Sequence, residues 1–566
     1  MDCSASQCAT FIESVFNHAE RNGDHIAVVF QPHGDSEAQM LSYRELKDRV
    51  TSQAEVLRSR GLPGKPVALL YPTSIDFVVG FLACLCAGAI AVPLNLSRNA
   101  KQFERLVDVL SDSQASSVMT TESTRQSMWH FFAEAGRDFS LLDWIDESAP
   151  RPDGSHYWDL PDAKDLAFIQ YTSGSTSQPK GVMVSHANIV ANQEAIRTAC
   201  NHSERLVAGG WLPQFHDMGL IGHMMQPLYL GGTYVFMPPM TFMQRPRRWL
   251  ELISRYRIHS SAAPDFGYQH CVNAISDRED LSTLDLSCWK VALNGSEPVD
   301  AKTMRRFAER FSEYKFDSNA FFPCYGMAET TLFVSGGPPG QGVKTASLPV
   351  ISGGSSSSNS SASEVVSCGK VSDQFDCRIV DPETRTVCAA GTVGEIWLRG
   401  SSVTQGYWQS TDQTREAFSV PLADSDHQQG FLRTGDLGFL QGNELYVTGR
   451  RKEVIILRGR NLYPYDIERT CNEQPAASGH GAVAVAFEKN DEPTLGVVVE
   501  VKKSVLASAD MDTLRQDFIE AITSEHGIIV GDLLLVKPGT IPRTTSGKFR
   551  RLECRTLFQS TPIAET

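Results

Sequence analysis

What the chain lacks narrows what it does. There is no surplus of basic charge: 52 Lys and Arg stand against 66 Asp and Glu, a formal net charge of -14. A general nucleic-acid binder neutralises phosphates with a Lys/Arg excess, so that class is disfavoured, although a local basic patch is not excluded. There is no apolar run long enough to cross a bilayer. The longest, 77–92, is broken by Gly80 and Gly88, stops at Pro93, and falls short of the roughly 18–20 residues a membrane span needs. It reads as a buried helix followed by a core strand. No basic segment leads into an apolar core after Met1, so no signal peptide is visible. The 13 cysteines are scattered with no Cys-x-x-Cys pair. Metal-site spacing is therefore absent, and free thiols in a reducing cytoplasm are expected.

What remains is 566 residues, 41% hydrophobic and 21% charged, enough for several globular domains with large cores. Short apolar strands (26–30, 66–70, 116–119, 166–169, 291–293) alternate with helical stretches (106–110, 247–256, about 300–311). That alternation predicts α/β architecture with largely parallel sheets. Ser42 and Glu45 have capping-box spacing, which starts a helix there. Between about 335 and 366 the composition turns to Gly, Pro and Ser, which predicts a mobile insertion. After it, strands at 376–380, 394–398 and 445–447 predict a β-rich subdomain. The last hundred residues read as a small separate α/β unit, with strands at 482–487, 495–501 and 533–536 and a helix at 511–525.

The stretch Tyr171-Thr-Ser-Gly-Ser-Thr-Ser-Gln-Pro-Lys180-Gly181 follows the strand 166–169. Its backbone N–H groups, hydroxyls and terminal lysine suit a polyphosphate, and a plain surface turn is the other reading. It is not a Walker A loop: counted from Gly174, that pattern wants Gly at 179 and Ser or Thr at 181, where Pro179 and Gly181 stand.

Further motifs follow in order: Tyr325-Gly-Met-Ala-Glu329-Thr330, Thr434-Gly-Asp436, Gly449-Arg450-Arg-Lys-Glu-Val-Ile-Ile and Ser546-Gly-Lys548. With the first stretch, this series resembles the adenylate-forming enzymes, the superfamily of acyl-CoA synthetases, luciferases and peptide-synthetase adenylation domains. Trp211-Leu-Pro-Gln-Phe-His-Asp-Met-Gly-Leu220, Arg245-Pro-Arg-Arg-Trp-Leu250, Ser261-Ala-Ala-Pro-Asp-Phe266 and Asn461-Leu-Tyr-Pro-Tyr-Asp-Ile-Glu468 resemble the fatty acyl-AMP ligase branch, over essentially the whole chain. The resemblance implies an α/β fold. A large N-terminal domain, 1–451, holds two α/β sheet subdomains and a β-rich one. A small mobile α/β C-terminal domain, 452–566, turns about Lys452; a linker lysine is the plain alternative. The insertion falls where these ligases carry an extra segment that restrains the small domain and disfavours free CoA.

Adenylation brings a carboxylate onto the α-phosphorus of ATP, so two anions must meet. A phosphate cradle, a metal and a cation are needed. By resemblance the cradle is Thr172, Ser173, Gly174, Ser175, Thr176 and Lys180. Glu329 is the candidate Mg²⁺ ligand, or a solvated loop carboxylate, with the Thr330 hydroxyl near the α-phosphate. Gly295, Ser296 and Glu297 with Tyr325, Gly326 and Met327 suit adenine, by close backbone approach and stacking; a core tyrosine is the alternative. Asp436 suits the ribose hydroxyls, or is a turn residue, and Arg450 suits ribose or phosphate. Lys548, by composition a solvated lysine, is by resemblance the cation that swings in to bridge carboxylate and α-phosphate. As in the fatty-acyl branch, His216 stands where amino-acid-activating relatives have an aromatic, and this motif is the reason to expect a fatty acid; by resemblance His216 gates the pocket or flanks the acyl carboxylate, and a structural histidine is the alternative. Met224, Met225, Met237, Met240 and Met243 line an acyl tunnel or belong to the core.

The activity implied is an ATP- and Mg²⁺-dependent conversion of a fatty acid to its acyl-adenylate, then transfer to the phosphopantetheine thiol of an acyl carrier protein. A fatty acyl-CoA synthetase shares every chemical motif, and a non-catalytic nucleotide or acyl-adenylate binder is the rival from another class. Lys502, Lys503, Arg550 and Arg551 make a candidate basic docking face for an acidic carrier. Ser177 departs from the usual Gly of its motif and Glu453 from the usual Asp.

Overall fold

A computed structural model describes residues 8–33, 36–96, 100–134, 142–146, 149, 158–172, 179–276, 278–347, 364–423, 430–457, 460–489, 492–544 and 548–558. The chain forms two compact units: 1–344 with 368–377 and 397–433, and 345–367 with 378–396 and 434–566.

The first unit holds a six-stranded sheet in the order 143–145, 117–119, 66–69, 90–93, 166–172, 180–185. Its neighbours run parallel except the last pair, an antiparallel hairpin. The apolar run becomes the helix Ile75–Ala87 and the strand Ile90–Pro93, all buried. An all-round apolar helix must be covered on every side, and this one packs between the helix Tyr43–Ser59 and the sheet. Ser74 caps its start, and Gly88 ends it in the left-handed region, which costs glycine nothing. The capping box of Ser42 and Glu45 is formed in both directions.

Another sheet of this unit runs 39–42, 26–30, 233–236, 207–210, 260–263, 291–294, 321–326, 333–336. The inner pairs are parallel and the two outer ones antiparallel. The helix Arg247–Tyr256 buries Trp249, Leu250, Leu252 and Ile253 against Trp211, Tyr268 and Trp289; each large side chain is worth on the order of 2–3 kcal/mol buried. Gly209 fits the close approach of strands here: a Cβ would lie 1.9 Å from the Val235 carbonyl oxygen.

In the second unit, strands Ala477–Lys489, Glu492–Val501 and Val530–Val536 form a three-stranded sheet. Ile467 and Cys471 of helix Pro464–Asn472 and Phe518 and Ile522 of helix Met511–His526 cover one face. Ile541 and Cys554, from the tail 541–558, pack on Val483, Val485 and Val498 on the other.

Two expectations need revision. Parts of the Gly/Ser-rich stretch are strand: Phe333–Gly336 is buried in the first unit, and Thr345–Ser347 pairs with 364–366 in the second; residues 348–363 lie outside the described residues. The basic docking face loses both arginines. Arg551 is clamped by Glu453 and Glu468 and Arg550 pairs with Glu553, because a guanidinium matches a carboxylate fork better than it matches water. Among the described residues no helix is long and apolar enough to cross a membrane, and the described cysteines are free thiols.

Candidate active site

The hairpin of strands Leu166–Thr172 and Lys180–Ser185 sets Thr172 opposite Lys180. Ser173, Gly174, Ser175 and Thr176, between them, lie outside the described residues. The stem is held firmly. The Arg105 guanidinium donates to the Thr172 carbonyl (2.9 Å), and the Tyr171 hydroxyl donates to Asp112 (2.5 Å). Burial, with the Asp112 carboxylate next, raises the Tyr171 phenol pKa.

Lys180 and Glu329 meet on one tyrosine. The Lys180 ammonium lies 5.0 Å from the centroid of the Tyr407 ring, and the Tyr407 hydroxyl donates to Glu329 Oε1 at 2.8 Å. Glu329 stands on the turn Ala328–Thr330, just past the strand Phe321–Gly326. That turn is over-determined. A Cβ on Gly326 would fall 1.8 Å from the Leu332 carbonyl oxygen. Asn192, fully buried, donates to the Thr330 and Phe333 carbonyls and accepts from the Phe333 N–H. Thr331 holds φ 70, rare for a β-branched residue, and its hydroxyl donates to the Ser402 carbonyl; strain of this kind persists only where the surroundings fix it. Thr330 is itself buried, and its hydroxyl donates to the Met327 carbonyl (2.9 Å).

Mg²⁺ takes one or two carboxylates and fills its octahedron with water and phosphate oxygens. Glu329 is partly exposed and accepts a hydrogen bond from the Tyr407 hydroxyl at one carboxylate oxygen. The residues present fit such an ion with Glu329 as protein ligand.

Strands 291–294 and 321–326 are parallel neighbours, with Asn294 beside Pro323. Gly295-Ser296-Glu297 and Tyr325-Gly326-Met327 therefore leave adjacent strands at the carboxyl edge, the place where open α/β sheets take ligands. Gly295 fits against Cys324, whose carbonyl oxygen would be 2.8 Å from a Cβ, and Ser296 holds φ 73. Tyr325 is partly exposed. Glu297 Oε1 accepts from the Phe266 N–H at 2.8 Å, next to the start of the helix Asp265–Ala274.

His216 Nδ1 lies 2.7 Å from Asp217 Oδ1, and the Met218 N–H donates to the same oxygen. Gln170 ties this loop to the hairpin by donating to the Phe215 carbonyl (3.0 Å). The following residues, Met218–Met225, form a π-helix, an uncommon geometry often found at functional sites. Met224 and Met225 are buried in one core and Met237 in another, whereas Met240 and Met243 are exposed.

In the second unit Asp436 and Arg450 face each other across the hairpin of strands Leu432–Gln441 and Glu444–Arg450, with Arg450 Nε 3.2 Å from Asp436 Oδ1. Asp436 is a buried strand residue, not a turn. Glu395, also buried, accepts from the Gly435 N–H (3.2 Å) and so holds the kink before it. Lys548 lies elsewhere in that unit. Its N–H donates to Thr544 Oγ1 and its carbonyl accepts from the Thr544 N–H.

Sequence reasoning missed Tyr407, Asn192 and Glu395. The signal for Tyr407 was an aromatic pair, Tyr407-Trp408, straight after a glycine in a polar stretch. For Asn192 it was an amide in the middle of a helix, where it must find partners when buried.

The chain is similar to several known proteins. The family model described as "AMP-binding enzyme" matches residues 15–408. A medium-chain-fatty-acid–[acyl-carrier-protein] ligase, JamA, of Moorena producens is 36% identical, with 98% of this chain and 96% of that protein covered. A long-chain-fatty-acid–AMP ligase, FadD26, of Mycobacterium marinum is 35% identical, with 92% of each covered. A crystal structure of the fatty acyl-adenylate ligase of L. pneumophila, in complex with acyl adenylate and pyrophosphate, superposes with a TM-score of 0.76 at 34% identity, over 99% of this chain and 98% of that one. With a family model matched over most of the first unit and ligases of this kind aligned end to end, the chain belongs to the AMP-binding enzyme family, within its fatty acyl-AMP ligase branch.

Proposed function

We propose that the protein activates a fatty acid with ATP and passes the acyl group to the phosphopantetheine thiol of an acyl carrier protein. A carboxylate oxygen of the acid attacks the α-phosphorus of ATP. The bond from that phosphorus to the β-phosphate bridging oxygen breaks, and pyrophosphate leaves. The thiolate then attacks the acyl carbonyl, AMP leaves, and a thioester remains. The observation that carries this reading is the pairing of Lys180 with Glu329 on Tyr407, at the exit of a Ser/Thr/Gly loop, in a chain of this family.

In this reading Thr172 to Thr176 and Lys180 cradle the phosphates. Gly295 to Glu297 and Tyr325 to Met327 hold adenine. Asp436 holds the ribose, and Arg450 aims the Asp436 carboxylate. Lys548 is the cation for the acyl carboxylate and the α-phosphate, and Thr330 secures the Glu329 turn beside the phosphate. Lys452 is a hinge between the domains 1–451 and 452–566. Mg²⁺, bound to Glu329 and phosphate oxygens, would lower the charge repulsion between the two anions. His216, oriented by Asp217, flanks the acyl carboxylate. A cytoplasmic place, where ATP and reduced thiols coexist, suits the chemistry.

The test is fatty-acid-dependent pyrophosphate release, followed by addition of holo-carrier protein or free CoA in parallel. Acyl loading of the carrier with little acyl-CoA supports the reading. Rapid acyl-CoA formation supports the synthetase instead, and no pyrophosphate with any acid supports a silent binder.

A further inference from the structure

The loop 401–408 joins the two halves of the phosphate site. Asn188 donates to the carbonyls of Ser401 and Val403 (2.9 and 3.2 Å). The Thr404 N–H donates to the Glu329 carbonyl (2.9 Å), which fixes the loop to the carboxylate-bearing turn. The Met183 N–H donates to the Gly406 carbonyl (3.0 Å) and the Trp408 N–H to the Gly181 carbonyl (2.7 Å), which fixes the same loop to the strand that begins at Lys180. Tyr407 stands between these two attachments. It is bridged to Val182 in the backbone, and its ring is wedged edge-on against Phe418 at 5.2 Å. Its backbone N–H donates to Thr414 Oγ1 (2.9 Å). The ring has little freedom to move.

We propose that Tyr407 is a positioning residue of the nucleotide site: its hydroxyl sets the Glu329 carboxylate and its ring face sets the Lys180 ammonium, so that metal ligand and phosphate cation are aimed at one triphosphate before it arrives. A phenol donating to a carboxylate makes a charge-assisted hydrogen bond, which fixes one oxygen and turns the other. An ammonium over an aromatic face is attracted by the negative face of the ring, which holds it beside Tyr407. One rigid side chain thus holds both a cation and an anion. Pre-organisation of this kind lowers the cost of ordering on binding.

The inference rests on ATP being the nucleotide of the proposed function, and its test needs neither fatty acid nor carrier. ATP binding to the full chain is measured calorimetrically over a Mg²⁺ series, beside the melting temperature without ligand. Tyr407→Phe keeps the ring and loses the hydroxyl. It is expected to raise the Mg²⁺ concentration for half-maximal ATP binding about 10- to 100-fold, the scale of one hydrogen bond to a charged group, with the ligand-free melting temperature unchanged. Tyr407→Leu loses the ring as well and should weaken ATP binding about threefold even without Mg²⁺; the Phe variant should restore that part. In a Glu329→Gln background, Tyr407→Phe should add nothing to the Mg²⁺ effect, since both changes act through one carboxylate. A Phe variant with the wild-type Mg²⁺ response, or full additivity with Glu329→Gln, overturns the proposal. If Tyr407→Leu does not fold, the Phe variant and its double mutant still decide it. Wild-type protein that binds no ATP overturns the function and this inference together, whereas ATP binding without acid-dependent turnover overturns the acyl substrate alone.

Discussion

Replacing Arg551 by Met removes three charge-assisted hydrogen bonds from the second unit at once. Its guanidinium reaches Glu453 Oε2 at 2.8 Å, Glu468 Oε1 at 3.1 Å and Glu468 Oε2 at 2.7 Å. The two carboxylates do not suffer equally. The Glu468 side chain is 4% exposed and, among the described residues, keeps only the Ala484 N–H as a donor that survives the change. Glu453 is 25% exposed and can turn to water. Breaking a buried pair by removing one partner costs about 3–5 kcal/mol. A solvated pair is worth ~1 kcal/mol or less. The expected cost of Arg551→Met is therefore about 3–4 kcal/mol, nearly all of it from Glu468. The double variant Arg551→Met/Glu468→Met should cost less than the single, because no carboxylate is then left buried alone. The effect should be local. All 8 tryptophans lie in the first unit, so tryptophan fluorescence in urea should hardly change. Hydrogen exchange in 464–487 should accelerate by the full amount. A single variant costing under about 1 kcal/mol, or a double variant worse than the single, would refute the reasoning.

Other outcomes are equally direct. Lys548→Ala should lower acid-dependent pyrophosphate release roughly 10²–10³-fold, the scale of one oriented donor; near-normal release would remove that lysine from the first half-reaction. Gly326→Ala should displace the Glu329 turn, because its Cβ would overlap the Leu332 carbonyl, so adenylation and melting temperature should fall together, and an unchanged enzyme would contradict the close approach. Burial holds His202 and His223 down to about 3 and His186 to about 4, against 6.5 when unfolded. Depressed values mean that this stability is complete above pH 6.5 and is lost as pH falls from 6.5 towards 3. With three such groups the slope approaches about 4 kcal/mol per pH unit near pH 5; a first-unit transition, followed by tryptophan fluorescence, that does not move between pH 6.5 and 5 would count against it.

Most of the architecture could be read from periodicity, because its elements obey one local rule each. The helix Arg247–Tyr256 is legible as an apolar stripe, the capping box at Ser42 as a spacing, and the strand 291–294 as a short buried run ending in a polar turn. The chemistry-bearing motifs were legible because they are local too. What escaped were residues whose meaning is long-range. Tyr407 lies far along the chain from both Lys180 and Glu329, and no local pattern tells a tyrosine which charges it will touch. Glu453 read as a departure from the usual Asp, yet its reach to Arg551 gives it a partner. Arg551 itself looked like a surface charge beside Arg550, and only the fold shows two carboxylates closing on it. Buried polar groups are specified by partners distant in sequence, so composition misjudges them in both directions.

The central claim is that this chain makes a fatty acyl-adenylate and hands it to a carrier thiol. It is tested most directly by pyrophosphate release with ATP, Mg²⁺ and a series of straight-chain fatty acids and amino acids, followed by mass measurement of added holo-carrier protein. The account predicts release with fatty acids alone and a carrier heavier by one acyl group. Release driven by amino acids, or an acyl group found on free CoA and never on the carrier, would contradict it.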